Sequence, residues 1–178
     1  IAGDQVTNDI AMALRTPTDE AEAIKIRHGI AKQALADPQA WFEVPGLGDR
    51  APRQLSRQAL AAVIEPRIEE LFSLVQHVIR ESGYEELLSS GVVLTGGSAM
   101  LPGMVELGED VFLKQVRVGM PAYRGNLSDV IGNPRFSTAM GLLEEARNQW
   151  IRGRKDDQTT GSFKDTLARM KAWFVGNF

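Results

Sequence analysis

The chain has 178 residues, 43% of them hydrophobic and 24% charged, enough for one domain with a substantial core or two small ones. That composition is globular, not disordered. A net charge of -3 supplies no cation excess for a general nucleic-acid binder, and the absence of cysteine excludes a disulfide framework and any thiolate metal site. No run reads as a signal peptide or a membrane span. The chain opens on Ile1 in place of Met, so the expectation is that the amino-terminal part of a longer protein is missing.

Asp4 can cap a first helix running to about Leu14, and Thr18, after Pro17, a second that carries on to about Ala36. WFEV at Trp41 predicts a short strand, and PGLGDRAP after it a turn and loop. From Ser56, apolar residues at Leu60, Val63, Ile64, Ile68, Leu71, Phe72, Val75, Val78 and Ile79 mark a long helix that Pro66 should kink or restart and Gly83 should close. One more helical turn is expected at Tyr84 to Leu88. Val92 to Leu94 then reads as a buried strand, Thr95 to Ser98 as a turn, Pro102 as a helix start and Gln115 to Gly119 as a second strand. Strand, helix and strand at this spacing form a βαβ-like unit, so part of the chain is α/β. Beyond a loop from Pro121 to Asn133, Pro134 precedes a helix in which Gly141 suggests close packing against another backbone.

IRGRKDDQTTG, from Ile151 to Gly161, reads as a flexible polar tether. On a helix starting at the capping box of Ser162 and Asp165, Phe163, Leu167, Met170, Phe174 and Phe178 share one side, with Trp173 at its margin. Lys164 and Lys171 flank one edge and Arg169 the other, so cationic heads can stay at lipid phosphates while their stems lie along acyl chains. The apolar run falls far short of the roughly 20 residues of a span. Such a helix lies on a bilayer. The alternative is a last helix folded back on its own domain, which needs neither a polar tether nor aromatics with basic edges.

Two short constellations carry possible chemistry. In VVLTGGSAMLPG a Gly pair follows the carboxyl end of a strand, where α/β sheets bind ligands and where the lack of Cβ lets a ligand approach the main chain. The same pair serves equally as a tight turn needing positive φ, and it matches neither the P-loop nor the dinucleotide fingerprint. In EAEAIK, Glu22 and Lys25 share a helical face: the carboxylate can accept two ribose hydroxyls and the Lys stem can cover a purine, or the two form a solvated ion pair. His28 and His77 have no companions at ligand or triad spacing, and no nucleophile, base and orienter set is present.

In chain order, GDQVTNDIAMALRTP, EAEAIK, VIEPRIEEL, VVLTGGSAMLPGM, QVRVGMP, FSTAMGL and the amphipathic end resemble the carboxyl-terminal half of the FtsA family of actin-like bacterial cell-division proteins. The resemblance covers essentially the whole chain. Several of these runs occur in actin-like ATPases generally; VIEPR ahead of the Gly pair, with a lipid-binding end, is more particular. It implies an α/β fold of the actin-like ATPase (ribonuclease H-like) class: one half of it, with an inserted second subdomain and a carboxyl-terminal amphipathic helix. Residues 1–24 and 91–150 would form the nucleotide-binding subdomain, 25–90 the insertion, 151–161 the linker and 162–178 the membrane-targeting helix.

By that resemblance Gly96, Gly97 and Ser98 fall on the adenosine motif, Glu22 and Lys25 on ribose and adenine contacts, and Gly3 and Asp4 on the turn facing the phosphates of ATP. The ligand would be Mg-ATP in an intact protein. The Asp-rich phosphate loops and magnesium-binding acids that precede this region in the family are absent from the chain. The resemblance therefore implies poor ATP binding by this stretch alone, with no hydrolysis, catalytic residue or metal ligand assigned to it. The insertion would receive the carboxyl-terminal peptide of the tubulin-like ring protein FtsZ, with Arg67, Glu69 and Glu70 as candidate contacts. The tail would bind anionic lipid on the cytoplasmic face of the inner membrane at the septum. Self-association into polymers and other division proteins complete the implied partners. Rival readings of the same motifs are an actin-like superfamily phosphotransferase and a pilus-assembly protein of the PilM kind.

Overall fold

Helix α1 (Gly3–Leu14) buries Val6, Ile10 and Leu14 on one stripe, with Thr7 beside them. It opens at Gly3, so Asp4 stands inside the first turn, where its charge complements the amino-terminal dipole, and not at the cap. Helix α2 (Thr18–His28) follows Pro17 and stops earlier than expected. At Gly29 the backbone turns extended (φ -58°, ψ 145°), and the Ala31 N–H donates to the Pro102 carbonyl at 2.7 Å instead of to its own preceding turn. Only a short 3-10 turn, Gln33–Leu35, remains of the helix expected there. The computed structural model describes residues 3–46, 51–122 and 131–160, with side chains to residue 152.

Strand β1 (Trp41–Val44) buries Phe42 and Val44 and exposes the residues between, the period-2 pattern of a half-buried strand. Strand β2 (Arg53–Ser56) pairs with it antiparallel, Trp41 opposite Ser56 and Val44 opposite Arg53. No strand was expected here, between the loop ending at Pro52 and the helix starting at Ser56. RQLS has little strand propensity of its own; the edge of β1 and a hydrogen bond from the Arg53 guanidinium to the Leu14 carbonyl hold it.

Helix α3 (Arg57–Glu81) is the central element of the core. The Ser56 Oγ accepts the Ala59 N–H at 3.1 Å and so caps it. The helix continues unbroken through Pro66, which omits one ladder bond while Ile64 and Ile68, both buried, pin the turns on either side. Its stripe of Leu60, Ile64, Ile68 and Phe72 belongs to one cluster with Val6 and Ile10 of α1, Ile24 of α2, and Phe42 and Val44 of β1. Gly83, at φ +73°, closes the helix, and a 3-10 turn at Glu85–Leu87 follows, both as expected.

Strands β3 (Val92–Leu94) and β4 (Val116–Val118) are parallel, Val92 opposite Val116 and Leu94 opposite Val118, and are joined through helix α4 (Met104–Phe112). This is the strand–helix–strand unit read from the sequence. Leu107 and Phe112 of α4 join the core, and the Phe112 ring meets Phe72 at 5.2 Å. β3 is not the buried strand expected: Val93 is exposed and its neighbours are half-buried, since this sheet has two strands among the described residues. The core is continuous across residues 3–24, 25–90 and 91–118, all within the first of two compact units, Ile1–Ser137 and Thr138–Phe178.

After a 3-10 turn at Pro134–Phe136, helix α5 (Ser137–Thr160) forms most of what is described of the second unit. It runs over 151–160, where a flexible tether was expected; Arg152, Arg154, Lys155 and Gln158 are good helix formers. A Cβ built at Gly141 meets no described atom within 4 Å, so close backbone packing does not explain that glycine. The amphipathic helix expected at 162–178, with all its candidate lipid contacts, lies outside the described residues. No helix among the described residues is long and apolar enough to cross a membrane.

Candidate functional site

The amino end of α1, the inner face of α2 and the turn after β3 converge on a cavity of about 490 Å³, lined among others by Gly3, Asp4, Glu22, Lys25, Gly97 and Ser98. A neighbouring hollow of about 270 Å³ shares Gly3, Gly97 and Ser98 with it and adds Gly96 and Arg67. Six of the seven residues expected around a nucleotide thus line the larger space and the seventh the smaller. The larger volume is within the roughly 300–1,000 Å³ usual for small-molecule sites.

Contacts between the helices fix the shape of the cavity. Lys25 Nζ is 2.6 Å from Glu22 Oε2 on its own helix, 2.8 Å from Thr7 Oγ1 and 3.1 Å from the Gly3 carbonyl, so two of its three protons tie α2 to α1. The Thr7 hydroxyl also reaches Glu22 Oε2 and the Gly3 carbonyl. With the Lys25 side chain 14% exposed, this is no solvated surface pair. Burial pulls the Glu22 carboxyl upward, but hydrogen bonds from Lys25 and Thr7 and the Lys25 charge outweigh it and hold the group below its usual 4.5. Glu22 Oε1 has no hydrogen-bond partner among the described residues and is the free acceptor of the pair.

The two glycines after β3 differ in kind. Gly96 has φ +94°, which answers the turn reading directly. Gly97 has no positive φ, and among the described residues a Cβ there would have Arg135 Cβ at 3.9 Å as its sole neighbour within 4 Å. Neither backbone strain nor packing calls for glycine at 97, and the space above it is the cavity. At Gly3, by contrast, a Cβ would stand 2.7 Å from Ser98 Oγ, so that glycine permits α1 to approach the turn.

Several lining residues escaped the sequence reading: Ile26, Met100, Leu101, Pro102, Asn133 and Arg135. Thr7 escaped it too, although its place on the same helical stripe as Gly3, Ile10 and Leu14 was a usable signal. The candidate partner residues are not a free charged face. Arg67 Nε and Nη2 grip Asp9 of α1 at 2.6 and 3.1 Å, Nη1 meets Glu70 at 2.5 Å, and Glu69 stands apart and exposed. These acids, Asp9 foremost, push the Arg67 guanidinium still further up. His28 stacks on Phe42 with ring centroids 4.4 Å apart; burial, then the charges of Arg57 and Arg27, lower its pKa from 6.5. His77 pairs with Glu81 at 3.3 Å on the surface. No group of three His, Asp or Glu among the described residues is arranged to hold a metal.

Fold and site together define a mixed α/β protein with a cavity beside the turn at the carboxyl end of β3; strand ends are the position such sheets use for binding. Residues 1–141 match the family described as Cell division protein FtsA. The chain is 50% identical to the FtsA of Pseudomonas aeruginosa over all of its own length and 44% of that protein. Against the FtsA proteins of Neisseria meningitidis and Escherichia coli K12 the identities are 42% and 40%, each over 99% of the chain and 44% of the relative. The chain belongs to the FtsA cell-division family, which implies an actin-like fold, and it spans less than half the length of these curated relatives.

Proposed function

We propose that this chain is the carboxyl-terminal half of an actin-like division protein that binds ATP, recruits the FtsZ ring and tethers it to the cytoplasmic face of the inner membrane at the septum. Residues 1–24 and 91–150 supply the nucleotide-binding part and 25–90 the inserted part; 162–178 is the membrane-targeting helix. The adenosine of ATP lies over Gly96, Gly97 and Ser98. The free oxygen of Glu22 accepts ribose hydroxyls, the Lys25 stem covers the base, and the amino end of α1 at Gly3 and Asp4 faces the phosphates. Magnesium and the phosphate loops come from the part of the family's length that this chain does not span, and no hydrolytic step is assigned to the residues here.

The observation that carries the nucleotide reading is Gly97, a glycine that neither its backbone nor its neighbours require, open to a cavity shared with Glu22 and Lys25. The test is Gly97→Val in a chimera whose preceding part is that of the Pseudomonas aeruginosa relative. Thermal stability should hold while affinity for a fluorescent ATP analogue falls at least about tenfold, the loss of roughly 1.4 kcal/mol of binding. Unchanged affinity in the variant would remove the glycine from the site, and no binding by the unaltered chimera would remove the nucleotide reading.

The FtsZ peptide is assigned to the α3 face of Arg67, Glu69 and Glu70, where Glu69 is exposed and a peptide would compete for the charges of Arg67 and Glu70 that Asp9 and the pair itself engage. The tail is assigned to anionic lipid through Phe163, Leu167, Met170, Trp173, Phe174 and Phe178, with Lys164, Arg169 and Lys171 at the headgroups. Polymer formation would raise the local number of tails.

A further inference from the structure

Arg67 is the candidate partner residue most involved in the protein's own structure. It projects from α3, yet its fork closes on both carboxylate oxygens of Asp9 in α1, with Nε to Oδ2 at 2.6 Å and Nη2 to Oδ1 at 3.1 Å, the bidentate arrangement that fixes direction as well as distance. It also lines the hollow beside Gly96, Gly97 and Ser98. Asp9 lies about 9 Å along α1 from Gly3, at the ordinary helical rise. α1 is thus held by polar contacts along its length: near its amino end by Lys25 and Glu22 of α2 on the Gly3 carbonyl and Thr7, further along by Arg67 of α3 on Asp9, and at its last residue by Arg53 on the Leu14 carbonyl.

From this geometry we infer that Asp9 and Arg67 form a positioning pair for the cavity, setting the angle at which the amino end of α1 meets the turn after β3. Releasing Asp9 removes the polar tie of α1 to α3 and leaves the ties to α2 at Gly3 and Thr7 and to Arg53 at Leu14, between which the helix can tilt. A shift there is felt at the turn, because a Cβ at Gly3 would stand 2.7 Å from Ser98 Oγ and the Ser98 side chain would have to rotate away. The apolar stripe of Val6, Ile10 and Leu14 stays buried against the core, so the fold survives the release. A partner that recruits the Arg67 guanidinium would compete with Asp9 for it. Weakened partner binding in an Arg67 variant therefore does not by itself place Arg67 in the partner interface. The inference rests on the nucleotide reading proposed above.

The test uses Asp9→Asn, Arg67→Lys, Arg67→Met and the exchange Asp9→Arg with Arg67→Asp, each in the chimera described above. Affinity for the fluorescent ATP analogue and amide exchange at Gln5 to Asn8 are measured alongside thermal melts. Each single variant should bind the nucleotide roughly tenfold more weakly, within the range of coupling seen between residues in contact. Asp9→Asn combined with Arg67→Met should lose no more than either alone, and the exchanged pair should recover part of the loss. Unchanged nucleotide affinity and unchanged amide exchange in both Asp9→Asn and Arg67→Met would overturn the inference. If the unaltered chimera binds no nucleotide, the nucleotide reading fails and exchange decides alone: faster exchange at Gln5 to Asn8 in Asp9→Asn supports the pair, and none refutes it.

Discussion

Glu22 is a carboxylate whose environment opposes itself: burial favours the protonated form, while Lys25, Thr7 and the Lys25 charge favour the ion and win. A folded-state pKa below the unfolded one means that the unfolded chain binds more protons at acid pH. The stabilisation is present above the unfolded value near 4.5 and is lost as pH falls through the lower folded value. With the carboxylate 42% exposed, solvent screening keeps it to less than about 1 kcal/mol. In urea melts from pH 7 to pH 3, Glu22→Gln should be slightly less stable than the parent at neutral pH, and the gap should close below pH 4.5. A gap that stays constant with pH would mean that the pair does not couple to folding. Both partners are legible from their spacing in the chain, but their burial is not. That comes from Thr7 and Gly3 of another helix, and a lone Thr among apolar residues reads equally well as core.

At the scale of elements, the longest periodic pattern was the most legible. The cap at Ser56, the stop at Gly83 and the stripe from Leu60 to Phe72 all appear in α3, because a stripe that long has one face to bury, but Val75 and Val78, expected on the same stripe, are exposed where the last turns run past the core. Ser56→Ala removes the acceptor for the Ala59 N–H and should cost about 1 kcal/mol, read as a lower urea midpoint at unchanged slope. A change below a few tenths of a kcal/mol would show that the β2 pairing of Ser56 holds the helix start without its hydroxyl. Elements made by neighbours were not legible. β2 exists because β1 offers it an edge, and α2 ends at Gly29 because Ala31 finds the Pro102 carbonyl. β3 reads as buried from VVL, yet burial depends on layers that a three-residue run does not specify. The site showed the same division. TGG, Glu22 and Lys25 were visible as motifs, whereas Asn133 and Arg135 reach the cavity from a loop with no periodicity to mark it.

At the scale of the whole molecule, the proposed function requires weak parts to act together. On the tether reading, five or six partly buried apolar side chains at roughly 1 kcal/mol each, and about 1 kcal/mol for each basic residue near anionic lipid, must offset helix ordering and lost freedom. One tail then holds weakly. Several carried on one polymer hold firmly, since after the first engages the rest bind at high effective concentration. Attachment should therefore rise steeply with assembly. A chain ending at Thr160 keeps all of α5 and removes the tail, which makes it the cleanest comparison. With vesicles one-third phosphatidylglycerol, the full chain should co-sediment more strongly than the shortened one. The difference should shrink at high salt as the basic edges are screened, and it should grow when copies are linked in tandem. Equal pelleting of the two chains would refute the tether. Pelleting that depends on the tail but not on copy number would keep the lipid contact and refute control by assembly.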